Sequence, residues 1–148
     1  VALNVSVDVP TSKDGATAIN KGVKKWLEDG ASVGFAQSQE LVPQDRGTLL
    51  QSGFPPEWTS DGALRWGYRA DYAIPMEEGT QPFQPPLQPL LEWSERVTGD
   101  KGLGYWVALK KIPEEGIDAQ PYAKPGAEKQ KRWYDAHDIS QFIEDELG

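Results

Sequence analysis

The feature that most constrains this chain is a long run, from about Ile19 to Leu41, in which apolar residues recur at helical spacing while glycines interrupt it. Ile19, Val23, Trp26 and Leu27 fall on one side, with Lys21, Lys24, Lys25 and Glu28 on the other, so the run predicts an amphipathic helix. Such a helix needs a layer to lie on, and the rest of the chain has to supply it. Gly30 and Gly34 each cost roughly 1 kcal/mol against alanine inside a helix, so a bend or a close contact is expected near them. Pro43 stops the run.

Strand patterns lie on both sides of this helix. Leu3, Val5, Val7 and Val9 alternate with Asn4, Ser6 and Asp8 until Pro10, the period of a strand with one buried face. Thr11 to Gly15 is turn-rich, and Phe54 to Gly62 reads as a loop. From Ala63 to Asp71, Leu64, Trp66 and Tyr68 alternate with Arg65, Gly67 and Arg69, a second strand pattern. Tyr72 to Met76 reads as a further strand or a bulged extension of the sheet.

The remainder is mostly helical. Pro82, Pro85 and Pro86 are too dense for regular structure, although the first turn of a helix absorbs the last of them. Leu87, Leu90, Leu91 and Val97 mark that helix, which closes near Gly99. Tyr105 to Ile112 fits either a helical stripe through Tyr105, Ala108, Leu109 and Ile112 or a buried strand, and we read it as helix. Ile117 to Tyr122 is expected to be extended, and the tail ends in a helical stripe of Ile139, Phe142, Ile143 and Leu147. These elements predict an α+β fold: an antiparallel sheet of about four strands packed by the long N-terminal helix, with a helical insertion at about 81–116 and a C-terminal helix. At 148 residues, a single domain over 1–148 is expected to bury one core without covalent staples.

Composition removes several classes of function. With no cysteine there is neither a disulfide framework nor a thiolate metal site. No apolar stretch approaches the roughly 20 residues of a membrane-spanning helix and no basic, apolar-cored leader is visible, so a soluble, unsecreted protein with no membrane partner is expected. The 23 acidic against 15 basic residues give a net charge of -8, which disfavours gripping a phosphate backbone. Such acidity suits a high-salt cytoplasm, or the repulsive lining of a channel through which DNA slides.

A search for chemistry finds little. His137 is the only histidine, set in Asp135-Ala136-His137-Asp138 without the further imidazoles or thiolates that tight transition-metal sites use, so a solvated helix junction is expected. Glu77 and Glu78 are adjacent and, read on a strand, point to opposite faces. A carboxylate dyad would need Asp45 or Asp71 from elsewhere. Gly102-Leu103-Gly104 lacks the third glycine of a dinucleotide fingerprint, and no serine nucleophile elbow is present. No catalytic residue, cofactor or metal is expected. Six tryptophans are many for this length, which suits either subunit interfaces or one generous core with an aromatic fringe.

Three ordered segments resemble the tail-completion or neck proteins of long-tailed phages and archaeal tailed viruses. Leu41-Val-Pro-Gln-Asp-Arg-Gly-Thr-Leu49 with Ser52 is similar to that family's Pro, then Asp-Thr-Gly, hydrophobic and serine pattern. Tyr72-Ala-Ile-Pro-Met-Glu-Glu-Gly-Thr80 is similar to its Tyr-Ala, acidic, Gly-Thr pattern. Ala119-Gln-Pro-Tyr-Ala-Lys-Pro-Gly-Ala127 is similar to its proline-flanked aromatic segment before the last helix. The resemblance covers roughly Ile19 to Lys131; Arg46 replaces the usual threonine, and Gly126 stands where alanine is common.

The resemblance implies a non-enzymatic virion protein, assembled in the host cytoplasm and placed at the neck or top of the tail. It implies a homo-oligomeric, sixfold ring that touches the tail-tube protein on one side and a head-side connector or stopper on the other, with DNA only in transit. A tube or head-connector subunit is the nearest alternative, and a small acidic hydrolase using Glu77, Glu78 or Asp45 the alternative from another class. Asp45, Arg46 and Gly47 are expected to form a turn with the glycine left-handed. Gly79 and Thr80 are expected to end a strand, leaving Glu77 or Glu78 to pair with Arg46, Arg65 or Arg69. Pro121 and Tyr122 mark the third motif loop. Pro82, Phe83, Pro85 and Pro86, together with Trp133, Phe142 and Ile143 of the C-terminal helical region, are the candidate subunit contacts.

Overall fold

The computed structural model describes residues 3–8, 17–43 and 47–147. The chain divides into two compact units, one built from the chain up to Ala73 and again from Pro121, the other from Ile74–Gln120. Where the sequence predicts one domain with a helical insertion at about 81–116, a second unit spans that stretch and reaches further at both ends. The fold is mixed helix and strand, with a long N-terminal helix and an antiparallel sheet. Among the described residues that sheet has three strands where about four were expected.

In the first unit, β1 (Leu3–Asp8), β2 (Gly53–Trp58) and β3 (Ala63–Tyr68) form the sheet in the order β1-β3-β2. The central strand pairs Val5 with Trp66 on one side and Phe54 with Gly67 on the other. Its alternation places Leu64, Trp66 and Tyr68 on one face, all buried. Over that face lies α1 (Thr17–Leu41), whose Phe35 ring sits 5.8 Å from Trp66 and 6.1 Å from Tyr68.

The segment read as a loop from Phe54 is instead strand β2 as far as Trp58. Pro55 and Pro56 cannot donate to a ladder, so neither suits the interior of a central strand. The strand accommodates them because it lies at the sheet edge and its register shifts between Phe54 and Glu57, so both prolines fall in a bulge. On this strand Glu57 supplies the carboxylate that Arg65 and Arg69 share, at 3.4 and 3.6 Å, in place of the glutamates expected from the second motif. Both guanidinium groups also lie over the Phe54 ring.

Two C-terminal helices complete the unit, α7 (Ala123–Ala136) and α8 (Ile139–Leu147), and both lie against α1. The glycines of α1 are what admit them. A Cβ on Gly34 would stand 2.9 Å from the Gly126 carbonyl, and one on Gly126 would stand 2.5 Å from the Gly34 carbonyl, so the α1 and α7 backbones touch. A Cβ on Gly30 would enter the Tyr134 ring, and one on Gly22 would stand 2.7 Å from the α8 backbone at Ile143. The expected close contact at Gly30 and Gly34 is therefore the crossing of α7.

Buried polar groups are tied across these layers. Tyr68 Oη lies 2.7 Å from Ser38 Oγ and accepts from Gln39 Nε2 at 2.7 Å. Trp66 Nε1 donates to Gln130 Oε1 at 2.8 Å, Gln130 Nε2 reaches Tyr134 Oη, and that hydroxyl donates to the Leu27 carbonyl at 2.6 Å. Among the described residues no buried side-chain nitrogen or oxygen lacks a partner.

The second unit is helical. It takes most of α3 (Ala73–Glu78), then α4 (Leu87–Thr98), α5 (Gly102–Trp106), a π-helical turn (Val107–Lys111) and α6 (Ile112–Glu115). Of the stretch Tyr72 to Met76, read as a strand or a bulged extension of the sheet, Ala73 to Met76 form the first part of α3 and Tyr72 lies in the turn before it. Proline 75 in a first turn and a left-handed Gly79 past the end are helix punctuation, which a short apolar run masks. Pro113 suits the π turn, since it has no N–H for the Leu109 carbonyl and its ring would clash with that carbonyl in a regular helix; Ile112 N–H reaches back to the Val107 carbonyl. Among the described residues no helix is long and apolar enough to cross a membrane.

Gly126→Ala gains at most about 1 kcal/mol in helix propensity. It drives a methyl group into the Gly34 carbonyl, a backbone atom that cannot swing aside, and such overpacking costs about 1–3 kcal/mol. Urea unfolding is expected to show net destabilisation; equal or higher stability would mean that the two helices do not touch there.

Candidate functional site

Glu77 and Glu78 occupy the last turn of α3, where successive positions point about 100° apart, and Glu77 is buried while Glu78 is exposed. They do not converge on one site. Among the described residues no group of three or more histidine, aspartate or glutamate side chains is placed to hold a metal ion. His137 closes the end of α7: its Nδ1 lies 2.8 Å from the Trp133 carbonyl, so that nitrogen carries the proton and donates. Its ring stacks on Trp133 at 4.1 Å, and its own carbonyl accepts from Trp26 Nε1 at 2.9 Å.

Gly47, Gly79, Thr80 and Tyr122 of the motif segments are frame residues. Asp45 and Arg46 lie outside the described residues. Gly47 is left-handed at φ 76° and opens the short helix α2 (Thr48–Gln51), its carbonyl accepting from Gln51 N–H at 2.8 Å. Gly79 is left-handed at φ 74° and ends α3 rather than a strand, its N–H donating to the Pro75 carbonyl. A Cβ at Gly79 would stand 2.6 Å from the Ile117 carbonyl, so only glycine fits against the returning chain.

That returning chain is stitched to the second motif. Thr80 N–H donates to the Ile117 carbonyl at 2.9 Å, Ile117 N–H donates to Thr80 Oγ1 at 3.0 Å, and Gln120 N–H donates to the Met76 carbonyl at 2.8 Å. The second and third motif segments thus close the base of the second unit. In the first unit Tyr122 is fully buried, its ring edge-on to Tyr68 at 5.0 Å and its hydroxyl donating to the Ala73 carbonyl at 2.6 Å. Pro121 beside it is exposed.

The candidate contact residues divide. Pro82, Phe83 and Pro86 are exposed, whereas Pro85 is buried, and the proline-rich segment is pinned to the helix beyond it by Phe83 N–H to the Ile112 carbonyl and Gln84 Nε2 to the Ala108 carbonyl. Trp133, Phe142 and Ile143 are half-buried within the first unit: Trp133 meets Phe142 edge-on at 6.0 Å, and the α8 backbone at Ile143 rests on Gly22.

A more exposed apolar surface lies in the second unit, where Tyr105, Trp106 and Leu109 are 46, 49 and 60 % exposed. The sequence put Tyr105 and Leu109 on one stripe with Ala108 and Ile112, but only the latter two are buried. The widened turn before Pro113 alters the helical phase that the stripe assumed. The available signal was that apolar residues occupy too many positions of this helix for a single face.

Tyr122→Phe removes the hydroxyl that holds the Ala73 carbonyl, and a loss of about 1 kcal/mol in urea unfolding with an unchanged circular dichroism spectrum is expected. An unaltered stability would mean that the bond is idle. At the other end of the fold, Asp138 caps α8 by accepting from Ser140 N–H at 2.9 Å, and that bond holds its carboxyl below its ordinary pKa. A depressed carboxyl stabilises the fold above its unfolded pKa and loses that contribution as pH falls through the folded one. Asp138→Ala is therefore expected to lower thermal stability at neutral pH and to match the parent at strongly acid pH; a constant gap would contradict the cap.

Compared with protein-family models, curated proteins and solved structures, the chain finds no match.

Proposed function

We propose that this chain is a structural subunit of a tailed-virus particle, a tail-completion or neck protein whose copies close into a ring between the tail tube and the head-side connector. The observation that carries the reading is the use made of the resembling segments. Gly79, Thr80 and Tyr122 are each committed to backbone hydrogen bonds or close backbone packing. Residues of this kind specify a shape, which is what a building block needs from its motif segments.

Charge supports the same role. With a net charge of -8 the chain repels a phosphate backbone, and a passage that DNA crosses without being held benefits from that repulsion. A ring also needs two different complementary patches on every subunit, and the exposed Pro82, Phe83 and Pro86 of the proline-rich segment are available for such a contact.

Negative-stain microscopy of the purified chain is expected to show closed rings with a central hole, and these rings are expected to bind the ends of purified tail tubes. A chain that stays monomeric at every concentration tried and leaves tube ends bare would overturn the proposal. Rings that stack into continuous tubes would favour a tube subunit instead.

A further inference from the structure

The helical run of α5, the π turn and α6 is apolar on two sides. Inward, Gly104, Ala108 and Ile112 are buried, and α4 covers them so closely that a Cβ at Gly104 would stand 2.6 Å from the Leu90 carbonyl. Outward, Tyr105, Trp106 and Leu109 face solvent. A helix with two apolar faces is expected to have both covered. The outward face is also held in shape, because Gln84 fastens the Ala108 carbonyl and Phe83 N–H the Ile112 carbonyl behind it.

Charge identifies the cover. Lys101 and Lys110 flank the exposed face, and neither ammonium group has an ion-pair or hydrogen-bond partner among the described residues. Lys111, by contrast, is engaged by Glu115 at 2.9 Å and Asp118 at 3.5 Å. Two copies of a chain with net charge -8 repel one another over most of their surface, so a lysine-rimmed apolar patch is where a second copy is drawn in. A two-fold contact of this face with itself would set lysine against lysine. The face therefore meets a different, acidic surface of the next copy, the head-to-tail arrangement that generates rings.

We infer that the Tyr105, Trp106 and Leu109 face is one half of a heterologous contact between copies of this chain, with Lys101 and Lys110 at its rim opposite carboxylates of the neighbour. The inference rests on the ring reading above and assigns one of its two patches to the second unit.

The test is sedimentation velocity of the full chain over a range of concentration and salt, comparing the parent with Trp106→Ser/Leu109→Ser and with Lys110→Glu. The parent is expected to assemble, and the double variant to associate at least tenfold more weakly with an unchanged circular dichroism spectrum. Lys110→Glu is expected to weaken association at low salt, by a factor that shrinks as salt rises. If the parent and a folded double variant assemble equally, this face is wrong while the ring reading stands. A parent that never assembles defeats both, and tail-tube protein captured by that monomer through Trp106 would give the face to a different partner. Lys110→Glu behaving as the parent at all salt concentrations would overturn the charged rim. Should the double variant lose its fold, Leu109→Gln alone decides, with several-fold weaker assembly expected and parental assembly contradicting the inference.

Discussion

Everything in the first unit depends on how closely two helices approach the long one. Gly34 and Gly126 put the α1 and α7 backbones in contact, while Gly22 does the same for α1 and α8. Glycine inside a helix sacrifices roughly 1 kcal/mol of propensity each time, a cost that makes sense where closeness is itself the requirement. With α7 lodged that near, Gln130 reaches the Trp66 indole and Tyr134 reaches the Leu27 carbonyl. Spacing between helices thus sets the polar network, and the network fixes the register of helix on sheet.

The same contact positions the motif residues. α7 begins one residue after Tyr122, so seating α7 on α1 brings the Tyr122 ring against Tyr68 and its hydroxyl to Ala73. Ala73 and Pro121 are also the points where the chain leaves the first unit and returns to it. Within the second unit the backbone bonds between Thr80 and Ile117 and between Met76 and Gln120 close the loop at its base. Bonds at the base of so long an insertion offset part of the entropy of closing it.

Much of this fold was legible because its elements are long or strictly periodic. The helix through Gly30 and Gly34, the strands at Leu3 and Ala63, and the helix from Leu87 to Gly99 carry a clean period of 3.6 or 2. The misreadings share a cause: local punctuation overruled by context. Pro55 and Pro56 argue against a strand unless it is an edge with a bulge, and edges are not visible in one sequence. Tyr72 to Met76 is too short to reveal its period, and Pro113 alters the phase of the helix before it. Glu57 escaped notice as the partner of Arg65 and Arg69 because a segment read as loop has no register to place it opposite them. The exposure of Leu109 was not legible, since an apolar residue on a helical stripe is ordinarily an inward one, whereas Trp106 lies off the stripe and its exposure fits the reading of surplus tryptophans as an aromatic fringe or interface.

The central proposal is that this chain is a structural building block whose exposed aromatic face, in the second unit, joins it to its copies in a ring. A density map of the head–tail junction of a tailed particle encoded alongside this chain tests it most directly. The account predicts a closed ring of this fold around a central channel, with Trp106 and Leu109 covered by the neighbouring copy. A junction built without this fold, or a ring in which that helix faces open solvent, would contradict it.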